Sequence, residues 1–194
     1  MNSSEQKMAL EEKALVVSCQ EGNSAAFEPL YTAYVRKIYD FIYYKTRHKE
    51  TAEDLTSLTF EKALDKISQC DPSESFKSWL YAIARNSVID YYRRRRPSRS
   101  IEDSWDIADP DVNIIEDLDM QSSFEKAKKY LGKLSLEQRD IIFMRVWQEM
   151  PYKEIAQVIG KSEDNCKMIF SRAMARLRSF MPQALALMVS ALIF

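Results

Sequence analysis

The sequence predicts an all-α chain of two small helical domains joined by an acidic linker, and three observations carry that reading. Only three glycines and six prolines interrupt 194 residues, while hydrophobic residues make up 46% and charged residues 29%. Such a mixture suits helices and argues against a strand-rich sandwich or a low-complexity chain. Apolar residues recur at three-and-four spacing in two separate blocks. Between the blocks, residues 101–125 hold nine acids (Glu102, Asp103, Asp106, Asp109, Asp111, Glu116, Asp117, Asp119 and Glu125) and no Lys or Arg, which marks a solvated tether rather than a fold. The predicted division is a first domain over 1–97, a linker over 98–121, a second domain over 122–181 and an apolar tail over 182–194.

In the first block a short helix over residues 5–20 precedes Gly22-Asn23-Ser24, cap-forming residues that open the next helix. That helix places Phe27, Leu30, Tyr31, Tyr34, Ile38, Phe41 and Ile42 on one face. A second amphipathic run fits Thr51 to about Ser68, with Glu53 and Asp54 in its first turn, where acids complement the helix dipole, and Ala52, Leu55, Thr59, Ala63 and Ile67 inward. Cys70-Asp71-Pro72-Ser73 breaks the pattern. A third helix runs to Arg96 with Phe76, Trp79, Leu80, Ile83 and Ala84 inward, and Pro97 stops it.

In the second block Phe124–Leu131 is helical, and Ser135-x-x-Gln138 is a capping box that opens a helix through Ile141, Ile142, Met144, Arg145 and Trp147. Pro151 suits the first position of the next helix, which carries Ile155, Ala156 and Ile159 and ends at Gly160. Ser162 caps the last helix, with Glu163 and Asp164 in its first turn and Cys166 and Ile169 on its buried face. Two short helices meeting at a glycine-containing turn form a helix-turn-helix pattern.

Charge points to the chemistry. Lys plus Arg is 28 and Asp plus Glu is 29, so the net charge of -1 offers no overall attraction to a polyanion. Locally, Arg85, Arg93, Arg94, Arg95, Arg96 and Arg99 face a single acid, Asp90, across residues 85–99, and Lys161, Lys167, Arg172, Arg176 and Arg178 enrich the last helix. Two basic helices on one tether suit two contacts with one nucleic acid, because bound phosphates release counterions. The first basic run also follows Phe76, Trp79, Tyr81, Tyr91 and Tyr92, and aromatic faces beside arginines can stack unpaired bases and hold their backbone. Asn86 adds an amide able to pair with a base edge.

Catalysis, cofactors and metals are not expected. His48 is the sole histidine, the three cysteines Cys19, Cys70 and Cys166 form no CxxC pair, and the acid pair Asp109 and Asp111 lies in the linker without a phosphate loop or a GxSxG motif. Three unpaired thiols suit a reducing cytoplasm. The polar N-terminus does not read as a signal peptide, and Ala184–Phe194 falls short of the ~17–25 residues of a membrane span. The tail is expected to pack as a helix on an apolar groove of this chain or of a partner.

The segments AEDLTSLTFEKAL (52–64), FKSWLYAIARNSVIDYYRRRRP (76–97) and LSLEQRDIIFMRVWQEMPYKEIAQVIGKSEDN (134–165) together resemble the RNA polymerase sigma factors of the extracytoplasmic-function group, the group 4 type with only regions 2 and 4. The resemblance implies a cytoplasmic transcription initiation factor whose partners are core RNA polymerase (its β and β′ subunits), promoter DNA and an anti-sigma factor. It assigns polymerase docking to Glu53, Asp54 and Phe60, with Ser57 and Leu58 departing from the family pattern. The loop Gln69–Ser75 and Asn86 become the pocket for a base flipped from the minus-10 element, with Trp79 and Tyr81 beside the melted strand and Arg93, Arg94, Arg95 and Arg96 on its phosphates. The linker resembles the segment that threads the polymerase active-centre channel. Lys167, Ser171, Arg172 and Arg176 become the minus-35 reader, with Ile169 where the family commonly has arginine. The alternative is a helix-turn-helix regulator that binds duplex DNA without polymerase.

Overall fold

The computed structural model describes residues 3–95 and 134–180, which fall in two compact units of the chain, 1–105 and 106–194. Seven α-helices are present among the described residues, and no strand. Arg96, the expected linker, the expected helix over 124–131 and the apolar tail lie outside the described residues.

The first unit contains α1 (Ser3–Gln20), α2 (Phe27–Thr46), α3 (Lys49–Asp65) and α4 (Phe76–Arg95), with single 3-10 turns at Ser24–Ala26 and Ile67–Gln69. Helices α2, α3 and α4 pack on one another, and α1 lies against this core. Leu30, Ile38, Phe41 and Ile42 of α2 meet Ala52, Leu55 and Ala63 of α3 and Phe76, Leu80, Ala84 and Val88 of α4, all buried. Each large apolar side chain so buried contributes ~1.5–3 kcal/mol. Thr56 and Thr59 are buried as well, and each hydroxyl donates to the carbonyl one turn back (Ala52 and Leu55, both 2.6 Å), so neither carries an unmet polar group into the core.

Helix α3 begins earlier than its apolar spacing predicts. Arg47 takes left-handed backbone (φ 53) and its N–H returns to the Tyr43 carbonyl, and His48 then caps α3, its Nδ1 accepting from the Thr51 N–H at 3.2 Å. Histidine is not among the usual capping residues, so the start at Lys49 was hidden. The far end also differs: α3 stops at Asp65 and tightens into the 3-10 turn, with Gln69 N–H on the Lys66 carbonyl at 2.8 Å. Tyr31, expected inward, is 44% exposed.

In the second unit α5 (Leu136–Ile142) widens into a π turn over Phe143–Trp147, followed by α6 (Tyr152–Ile159) and α7 (Glu163–Phe180). The capping box forms as expected: Ser135 Oγ accepts from Gln138 N–H at 3.3 Å and Gln138 Oε1 accepts from Ser135 N–H at 3.1 Å. Pro151 sits one residue earlier than expected, at the cap of α6 rather than inside it. Gly160 closes α6 with φ 75, the left-handed conformation that favours glycine. Leu134 and Ile142 pack with Ala173, Met174 and Leu177 of α7, flanked by Val146 and Phe170. Val158 rather than Ile159 is the buried residue near the end of α6. The guanidinium of Arg145 lies 5.1 Å from the Tyr152 ring, and that ring meets Phe170 of α7 edge-on at 5.9 Å, which fixes α6 against α7.

Candidate nucleic-acid and polymerase interface

Three exposed faces carry the residues of interest. On α3, Glu53 and Asp54 are exposed, Lys49 and Glu53 form a loose ion pair at 4.0 Å, and the Ser57 hydroxyl donates to the Glu53 carbonyl at 3.1 Å. Phe60, seven residues on from Glu53 and so near its line on α3, is nonetheless closed off: it is 5% exposed and wedged between Tyr31 (4.8 Å) and Phe27 (6.4 Å) of α2. The aromatic available to a partner is Tyr31 on α2, which spacing alone had counted inward; Leu64, one turn after Phe60, is also exposed.

Along α4 the aromatic run divides. Tyr81 is fully buried, its ring 5.1 Å from Phe41, and burial pushes its hydroxyl pKa far up, so it stacks on nothing outside the core. Phe76 is buried too. Trp79 is half-buried against Phe76 at 5.8 Å and keeps an outer surface. At about 100° per residue, positions seven apart return to within ~20° of one another and ~10 Å further along. Trp79, Asn86 and Arg93 therefore form one line on α4, and Asn86 and Arg93 are exposed. Arg93 pairs with Asp90 at 2.9 Å on the surface. Arg95 donates to the Tyr91 hydroxyl, which lies 3.3 Å from Thr51 Oγ1, and Arg94 is exposed beside them.

The loop before α4 is built rather than loose. Asp71 Oδ1 accepts from Ser73 N–H at 2.8 Å, a bond that holds its carboxyl below the usual carboxylate range. Glu74 N–H returns to the Asp71 carbonyl at 3.0 Å, and Ser75 Oγ accepts from Ser78 N–H at 3.3 Å to cap α4.

On α7, Ser162 Oγ accepts from Asn165 N–H at 3.3 Å, the expected cap. Cys166, Ala173, Met174 and Leu177 are buried, so by the ~100° period the opposite face is centred on Met168, Ser171 and Arg172, all exposed. Lys167 and Arg176 stand exposed on its two flanks. Lys167 is held by Glu163 (2.8 Å) and Asp164 (3.5 Å), and its hydrogen bond to Glu163 raises its pKa. Ile169 is half-buried. Met168 is not among the residues that the sequence assigns to this face, although the helical period places it at the centre.

Among the described residues no group of three His, Cys, Asp or Glu side chains could hold a metal ion, and no helix is long and apolar enough to cross a membrane. Family models match twice: Sigma-70 region 2 over residues 30–98 and Sigma-70, region 4 over residues 124–177. The ECF RNA polymerase sigma factor SigM of Bacillus subtilis (strain 168) is 30% identical over 153 residues, 78% of this chain and 93% of that protein. The ECF RNA polymerase sigma factor BldN of Streptomyces coelicolor is 31% identical over 87% of this chain, which spans 65% of that longer protein. Among solved structures, the sigma factor RpoE from Bartonella quintana, in complex with the anti-sigma factor NepR, superposes with a TM-score of 0.64 at 26% identity, covering 79% of this chain and 95% of that one. The chain belongs to the extracytoplasmic-function group of RNA polymerase sigma factors, transcription initiation factors that bind core polymerase, recognise minus-10 and minus-35 promoter elements and promote DNA melting.

Proposed function

We propose that the first unit docks on core polymerase through the exposed acids Glu53 and Asp54 with Tyr31 alongside, and holds the melted minus-10 strand along the outer line of α4. The observation that carries this reading is the alignment of Trp79, Asn86 and Arg93 on one helix face, which offers in order a stacking surface, a base-edge amide and a phosphate-binding cation. Extraction of a base costs a few kcal/mol. Stacking on Trp79 and edge contacts from Asn86 exist only for unpaired bases, so they offset that cost without strengthening duplex binding. Arg94, about 100° round from Arg93, broadens the cationic end of the line, while Arg95, about 200° round and bonded to the Tyr91 hydroxyl, lies off it.

The second unit places α7 in the major groove of the minus-35 element. Ser171 and Arg172 face the base edges, Met168 supplies an apolar contact for a thymine methyl, and Lys167 and Arg176 reach the phosphates on either side. A duplex-only regulator would have no use for the α4 line. The Bartonella RpoE is held by the anti-sigma factor NepR, and a partner of that class is proposed for this chain.

Addition of the purified chain to core polymerase and a promoter library tests the reading. Transcription from a defined start is expected only when both are present. Duplex binding by the chain alone, with no transcription in the mixture, would favour the regulator instead.

A further inference from the structure

The loop between α3 and α4 is tied to a helix far away in sequence. Gln20, the last residue of α1, sends its side-chain amide across the unit, and Nε2 donates to the carbonyl of Ile67 at 2.9 Å and to that of Cys70 at 2.7 Å. These two carbonyls bracket the 3-10 turn from which the loop departs. A primary amide has two N–H donors and both are used. The far end of the loop is fixed independently by the Ser75 cap, and its middle by the Asp71 and Ser73 turn. Without Gln20 the front end keeps the turn's own backbone bonds, Gln69 N–H to the Lys66 carbonyl at 2.8 Å and Cys70 N–H to the Ile67 carbonyl at 3.1 Å, neither of which ties the turn to another helix. Asp71, Ser73 and Glu74 are exposed on that loop, and Gln20 is half-buried, its hydrogen bond to the loop falling on the Cys70 carbonyl.

We propose that Gln20 is a positioning residue for minus-10 recognition: by bridging the Ile67 and Cys70 carbonyls it sets the path of the loop that meets the flipped base. The inference rests on the reading that the Gln69–Ser75 loop meets this base. A pocket discriminates among bases only if its backbone is held within a fraction of an ångström, so loosening one anchor blurs preference at that base while leaving phosphate contacts intact.

The test uses full-length chains assembled with core polymerase and a promoter panel carrying every base at every minus-10 position. Gln20→Met keeps the length of the side chain but donates nothing, and Gln20→Glu presents a carboxylate to two carbonyls. A third chain carries alanine at Asp71, Ser73 and Glu74. In the parent, open-complex formation should favour the right base at the loop-read position by roughly ten- to a hundredfold. Both Gln20 variants should lower that ratio to about threefold or less, with ratios at the other positions and affinity for core polymerase kept within about twofold. Unchanged ratios in the Gln20 variants alongside a flattened ratio in the loop variant would overturn the role of Gln20 and leave the loop reading standing. Unchanged ratios in all three would overturn the loop reading, and the inference with it. A loss spread evenly over all positions with weaker polymerase binding would also overturn it, since that is what a merely structural residue gives.

Discussion

Tyr31 lies edge-on against Phe60 with ring centroids 4.8 Å apart, and the pair separates stability from recognition: Phe60 is 5% exposed and Tyr31 44%. The inner ring holds α2 to α3, and the outer one covers it while keeping a surface for a partner.

Phe60→Ala should accordingly destabilise the first unit by ~3–5 kcal/mol, as deletions of a core aromatic do, and Tyr31→Ala by much less. Denaturant unfolding of both variants checks the first half. Polymerase affinity should fall for Tyr31→Ala while its fold is intact, and an unchanged affinity would remove Tyr31 from the docking face.

The minus-35 face yields a graded expectation. Arg172→Ala should cost ~1–3 kcal/mol of promoter affinity and relax preference at one base pair. Lys167→Ala should weaken binding evenly across sequences and change the salt dependence little, because Glu163 and Asp164 already engage its ammonium in the free chain. Glu163→Gln should release that ammonium and tighten binding. Salt titrations of holoenzyme on minus-35 variants would read all three, and a base-specific effect of Lys167→Ala would move that residue from the flank to the centre of the face.

The cysteines make a pH-dependent expectation. All three thiols are buried, and burial raises their pKa values, that of Cys70 to about 11 with help from Asp71 and Glu74. The reactive form is the thiolate, so near pH 8 the native chain should alkylate slowly at all three and faster as pH rises toward 11. Because each folded pKa lies above its unfolded value, the contribution of the neutral thiols to stability is present below the unfolded pKa and is lost as pH rises through the folded one. Mass spectrometry of timed iodoacetamide reactions checks this, and rapid native labelling of Cys70 at pH 8 would contradict it.

Much of this was legible in the sequence where local chemistry decides the outcome. The Ser135/Gln138 capping box, the Ser162 cap and the Gly160 turn are local, and each forms. Phe60 and Tyr81 were assigned by resemblance to a family motif, and a matching motif position does not tell whether the side chain is buried. Trp79 and Tyr81 are two residues apart on a helix, hence about 200° around it, and cannot both face a strand of DNA. The Gln20 anchor was out of reach, because it joins residues 47 and 50 positions apart and no periodicity records such a contact. The cap by His48 was missed because histidine rarely takes that place.

Asn86→Ala tests most directly whether the outer line of α4 holds the melted strand, since Asn86 is exposed and its loss should leave the helix intact. Holoenzymes carrying this variant, or Trp79→Ala with helicity verified, should bind duplex promoter within about twofold of the parent but form open complexes about fivefold less or worse, as loss of a contact of ~1–3 kcal/mol with an unpaired base requires. Permanganate reactivity of unpaired thymines measures the opening. If both variants melt the promoter as completely and as fast as the parent, α4 does not hold the strand.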